Sequence, residues 1–186
     1  MNQTERFITR LEGLKQGERS RLRRLTGRPL DETLQGFDLF TGLWWPLRQK
    51  NQAAPRREVA WLIAKLYGAC PVPHVRPDGG KGAPLAQVLG RSEPREPHLK
   101  AFRRRFDALL QSPLSGLEPH LRWALSVVAH AVKRDRGRGL DWVQLLDDLS
   151  VWDRGDEHRR ERDVRDIWAE QYLNAVNNPK GADHAD

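Results

Sequence analysis

Cysteine is almost absent: Cys70 stands alone among 186 residues, which excludes an intrachain disulfide and a thiolate metal cluster. Long hydrophobic runs are missing as well. Nothing approaches the roughly 18 apolar residues that cross a bilayer, and the opening MNQTERFITRLEG has no apolar signal core. A cytoplasmic protein with no membrane partner is expected. No segment sustains the apolar–polar alternation of a half-buried strand. The six histidines, at 74, 98, 120, 130, 158 and 184, are scattered, and neither H-E-x-x-H nor G-x-S-x-G occurs. No catalytic residue, metal site or cofactor is expected from these absences. Gly79-Gly80-Lys81-Gly82 superficially resembles a phosphate loop but lacks the G-x-x-x-x-G-K-[ST] spacing and a preceding strand.

What the chain does have is positive charge, unevenly placed. Thirty-two Lys and Arg against 25 Asp and Glu give +7. Residues 1–110 carry 21 basic and 11 acidic side chains, whereas residues 111–186 carry 11 and 14. A strongly cationic front part suits a polyanion partner. Arginine outnumbers lysine 25 to 7, and its planar fork matches phosphate oxygens in a bidentate way. Seven tryptophans are many for this length; in a helical protein some fill the core, and exposed ones mark interfaces.

The periodicity throughout is helical. Phe7, Ile8, Leu11 and Leu14 form one stripe, and Gly17–Gly27, GERSRLRRLTG, a second short segment with Leu22 and Leu25 inward. Phe37, Phe40, Trp44 and Leu47 share a face in an apolar segment expected to stop at Pro46. After Pro55, Val59, Leu62, Ile63 and Leu66 face inward, with Arg57 and Trp61 pointing away. Residues 70–82, with three prolines and three glycines, make a loop. Further helices are expected over about Leu85–Leu89, Pro97–Gln111, Ser115–Arg134, Leu140–Trp152 (with Asp147 and Asp148 exposed) and Asp156–Ala175. The fold class is all-α, a bundle of about seven to nine helices. Residues 1–176 read as a single helical domain and 177–186 as a flexible tail.

Four of these helices repeat one design, apolar inside and cationic outside. The first presents Arg23 and Arg24 opposite its leucines, with Arg21 on the flank. Others present Arg57; Lys100 and Arg104, with Arg105 at the border of the stripe; and Arg122 and Lys133 within a narrow arc. Parallel cationic ridges suit a phosphate backbone, and nothing offers Asn or Gln poised to read base edges. Nucleic-acid binding independent of sequence is therefore expected at these nine residues. Two other readings stand beside it. Asp153, Asp156, Glu157 and His158 suggest a metal-dependent nuclease, although an acidic helix start has the same composition. A protein-binding adaptor with merely solubilising arginines is the third. On this pattern Trp61 is a candidate for base stacking or for docking a partner helix.

The segment Gly17–Leu25, GERSRLRRL, resembles the "G-x-x-A-x-L-R-R" signature of the CasB family, with Ser20 where that family often has Ala. PRREVAWLIAKLYG, LKAFRRRFDALLQS, LDWVQLLDDLSVW and VRDIWAEQYL resemble its later segments, in order, over about Phe7–Tyr172. The resemblance implies a non-enzymatic, all-helical small subunit of the type I-E CRISPR surveillance complex, Cascade. Two copies would lie along the crRNA-bound backbone beside other Cascade subunits and hold both strands of the target DNA as the R-loop opens. By position Arg24, then Arg23, is the implied nucleic-acid contact. Lys100, Arg104 and Arg105 match a basic helix rather than fixed sites. Guide pairing would read the sequence, leaving the protein to grip backbone.

Overall fold

The computed structural model describes residues 2–30, 34–50, 55–70, 72–76, 82–134, 139–153 and 162–178, without the side chains of 34–37 and 49–50. The phosphate-loop-like Gly79–Lys81, the expected helix start at Asp156, and the nuclease residues Asp156, Glu157 and His158 lie outside them. So does the tail beyond Asn178. Among the described residues nine α-helices account for nearly all regular structure, as the sequence predicts. The chain packs as two compact units, Met1–Pro71 and Val72–Asp186.

In the first unit α1 (Gln3–Glu12) opens on a capping box: Asn2 Oδ1 accepts the Glu5 N–H and the Glu5 carboxylate accepts the Asn2 N–H, both at 2.8 Å. Its Phe7, Ile8 and Leu11 are buried, and Phe7 meets Phe40 of α3 (Leu34–Lys50) edge-on at 6.5 Å. The expected stop at Pro46 does not occur; α3 runs on to Lys50. Proline removes the N–H that would bond the Gly42 carbonyl. Arg10 of α1 supplies a donor instead, reaching the carbonyls of Gly42 at 3.4 Å and Leu43 at 3.5 Å. A side chain from another helix thus carries α3 across its proline.

α2 (Gln16–Arg24) begins where Glu18 accepts the Lys15 N–H at 2.8 Å. It buries Leu22, and Leu25 just past its end is buried too, as predicted. Gly27, at φ 80°, turns the chain in a left-handed conformation that glycine adopts without steric cost. α4 (Arg57–Ala69) differs from expectation in kind. Val59 through Leu66 are eight consecutive buried residues, so α4 is a central helix rather than a two-faced one. α2 lies directly against it. A Cβ at Gly68 would fall 2.7 Å from Leu22 Cβ and 2.9 Å from the Arg19 carbonyl, so only glycine permits this approach.

In the second unit α5 (Leu85–Arg91) packs on α9 (Val164–Asn177), α6 (Leu99–Gln111) on α7 (Glu118–Arg134), and α8 (Trp142–Ser150) completes the core. The structure adds a strand pair that the sequence does not predict: β1 (Gly82–Ala83) runs parallel to β2 (Gly139–Leu140), and His74 bridges to Leu140. Two residues are too few to show alternation. Trp142, Trp152 and Trp168 are fully buried, and each indole N–H finds an acceptor, at Val72 O, Ser112 O and the Asp148 carboxylate. The sequence pattern puts Asp148 at the surface beside Asp147; the structure buries it, because it serves Trp168.

Candidate nucleic-acid interface

The α2 arginines owe their display to the two leucines beneath them. Leu22 and Leu25 fix the inner face, and at 100° per residue Arg23 and Arg24 project outward while Arg21 falls on the flank. All three are exposed. Lying in the last turn, they also complement the negative end of the helix macrodipole. Arg19 on the same helix is used differently: it donates to the Glu12 carbonyl at 2.6 Å and lies over the Tyr67 ring at 5.8 Å. Burial and the nearby Glu12 carboxylate push the Tyr67 phenol up, against the lowering effect of Arg19.

Beside these arginines an open groove of about 670 Å³ is lined by Gln16, Gly17, Ser20, Arg21, Arg24 and Leu25, and by Asp38 of α3. Two guanidinium groups and a hydroxyl form its α2 wall, and one carboxylate stands on the α3 wall. Neither Ser20 nor Asp38 is among the site residues the sequence predicts, because α3 joins the site through folding and not through sequence proximity.

Arg57 is half-buried, not fully outward. Its expected neighbour Trp61 is not a surface residue at all, which corrects the sequence reading: it is 4 % exposed, and its indole N–H donates to the Arg28 carbonyl at 3.1 Å. Lys65 donates to the same carbonyl at 3.0 Å and sits 5.5 Å from the Trp61 ring. Trp61 thus offers no face to a base or a partner helix.

In the second unit Phe102, Phe106 and Leu109 anchor α6 and leave Lys100 and Arg104 exposed. Arg105 is exposed too, with its guanidinium 5.9 Å from the Trp123 ring of α7. Arg122 and Lys133 of α7 are both exposed, with exposed Ser126 between them. Arg103, next to Arg104, is spent on structure through a bidentate pair with Glu93 at 2.8 and 3.2 Å. Among the described residues no acid forms an ion pair with Arg21, Arg23, Arg24, Lys100, Arg104, Arg105, Arg122 or Lys133. Their charges are available.

Of the acidic–histidine cluster only Asp153 is described, and it is engaged, accepting from Arg165 at 3.2 Å and from the Leu114 N–H at 3.2 Å. Among the described residues no group of three or more His, Cys, Asp or Glu is placed to hold a metal ion, and no helix is long and apolar enough to cross a membrane.

Solved structures share this architecture. CasB from M. ruber superposes with a TM-score of 0.69 at 19 % identity, over 98 % of this chain and 99 % of that one, a likeness of fold. A CRISPR-associated protein of the Cse2 family from Thermus thermophilus gives 0.67 at 26 % identity, over 94 % and 100 %. A structure described as CasB, also from Thermus thermophilus, gives 0.61 at 25 %, again over 94 % and 100 %. No curated protein matches the sequence. The family model of CRISPR-associated protein Cse2 matches residues 18–173, from the start of the arginine-bearing helix almost to the end of α9, and the chain belongs to that family.

Proposed function

We propose that this protein is the non-catalytic small subunit of a type I-E CRISPR surveillance complex. In the cytoplasm it grips nucleic-acid backbone through Arg21, Arg23, Arg24, Arg57, Lys100, Arg104, Arg105, Arg122 and Lys133. Two copies, docked beside other Cascade subunits, hold the crRNA–target R-loop open. The observation that carries this reading is the set of exposed α2 arginines free of ion pairs with any described acid. A phosphate grip needs its cations free of competing acids. Sequence discrimination is left to the guide, so backbone contacts suffice.

The test is Arg23→Glu with Arg24→Glu. Binding to single- and double-stranded DNA and to RNA is expected to weaken and to lose part of its salt dependence, with the far-ultraviolet circular dichroism unchanged. Unaltered binding at about 50 mM salt, where phosphate contacts are strongest, would count against this face.

A further inference from the structure

Six of the seven tryptophans are buried or half-buried; Trp45 alone is exposed, at 49 %. It is one of three large apolar side chains on the described surface, and its helix is the one that supplies the far wall of the arginine groove. Asp38 and Trp45 are about two helical turns apart, less about 20°, so both lie on the same outer stripe of α3, about 10 Å apart along its axis. The indole is supported from one side. Trp45 packs on Trp44 at 6.1 Å, and Trp44 is in turn stacked on Phe40 at 5.9 Å and bonded through its N–H to the Pro55 carbonyl at 2.9 Å.

We infer that the groove and Trp45 together form a binding site for single-stranded nucleic acid, in which Arg21 and Arg24 hold phosphates and the Trp45 indole stacks on a base. The charges orient the strand. Arginines on the α2 wall attract the backbone, while the Asp38 carboxylate repels it from the α3 wall, so bases turn toward the stripe that carries Trp45. A duplex keeps its base faces stacked inside, and only an unpaired strand can offer one to an indole. This assignment rests on the backbone-binding reading and adds to it a preference for unpaired bases.

The test compares oligothymidylate with an abasic oligomer of equal length, using the full-length protein, Trp45→Ala, Trp45→Phe, and Arg21→Glu with Arg24→Glu. Trp45→Ala should weaken oligothymidylate binding by about 5- to 150-fold and leave abasic binding unchanged, and Trp45→Phe should retain most of the affinity. Quenching of tryptophan fluorescence by oligothymidylate should disappear in Trp45→Phe. Both oligomers should bind less well to the double arginine variant. If Trp45→Ala binds both like the parent while the double variant is impaired, the stacking site is overturned and backbone binding stands. If neither oligomer binds any form, both readings fall. If Trp45→Ala instead loses only its assembly with other subunits, the indole is a protein contact and the assignment is wrong.

Discussion

The indole N–H of Trp168 donates to the buried carboxylate of Asp148 at 2.6 Å, and Gln144 donates to the same group at 2.7 Å. Desolvation pushes the Asp148 pKa above its ordinary 3.8; the hydrogen bonds from Trp168 and Gln144 oppose this, and the Asp147 and Asp141 charges add to it. A raised folded pKa means that the native state holds the proton more tightly than the unfolded chain. The stability Asp148 contributes is therefore fully present below 3.8 and is lost as pH rises through the folded value. Asp148→Asn keeps an acceptor for Trp168 and should flatten that segment of the stability–pH profile. Asp148→Ala strands a buried N–H and should cost about 1–3 kcal/mol in urea denaturation.

The stripes of α6 and α7 are legible in the sequence because their apolar residues return every three or four positions over several turns. The burial of Trp61 is not. On a two-faced helix, about 200° from Val59 is the outer side, but α4 is buried all round from Val59 to Leu66. Its only charge in that stretch is Lys65, and this apolar composition is the available signal. Asp148 is hidden by its neighbour: adjacent aspartates look alike in a sequence, although they lie about 100° apart on a helix and one faces a tryptophan. Pro46 cannot be read through, since the donor that serves Gly42 comes from Arg10 on another helix. The arginines of the candidate site are visible locally; Asp38 and Trp45 join them only through the packing of α3 beside α2.

Gly68 sets how closely the arginine helix lies on α4. Adding a methyl group there puts it 2.7 Å from Leu22 Cβ and 2.9 Å from a backbone carbonyl, neither of which can swing aside. Gly68→Ala should therefore cost about 1–3 kcal/mol. By displacing α2 it should also weaken nucleic-acid binding without removing any charge. Equal binding by the folded variant and the parent would show that the seating of α2 is unimportant for grip.

Glu93 joins α6 to α9 by accepting from Arg103 and from the phenol of Tyr172. Partial burial pushes its carboxyl up, but the hydrogen bonds from Arg103 and Tyr172 and the Arg103 charge outweigh this, and the net pKa lies below the ordinary 4.5. The Tyr172 phenol is itself pushed up by burial and by Glu93. With a lowered folded pKa, the contribution of Glu93 is present above 4.5 and lost as pH falls through the folded value. Tyr172→Phe should cost about 1–2 kcal/mol near neutral pH. Glu93→Gln should be less stable than the parent near neutrality and should lose stability less steeply on acidification, as read by urea melts at both ends of that range.

Lys100 and Arg104 belong to the second unit, Arg23 and Arg24 to the first, and no residue is shared between the two pairs. If each cation neutralises one phosphate, each lost contact should flatten the plot of log affinity against log salt by about 0.9 on duplex DNA and about 0.7 on a single strand. Lys100→Glu with Arg104→Glu is then expected to lower the slope by about as much as Arg23→Glu with Arg24→Glu, and the quadruple variant by about the sum. A slope unmoved by the Lys100 and Arg104 changes would confine the grip to the first unit and leave the α6 charges to solubility. A quadruple variant no worse than either pair would mean that the two faces serve one contact in common, since independent sites must add.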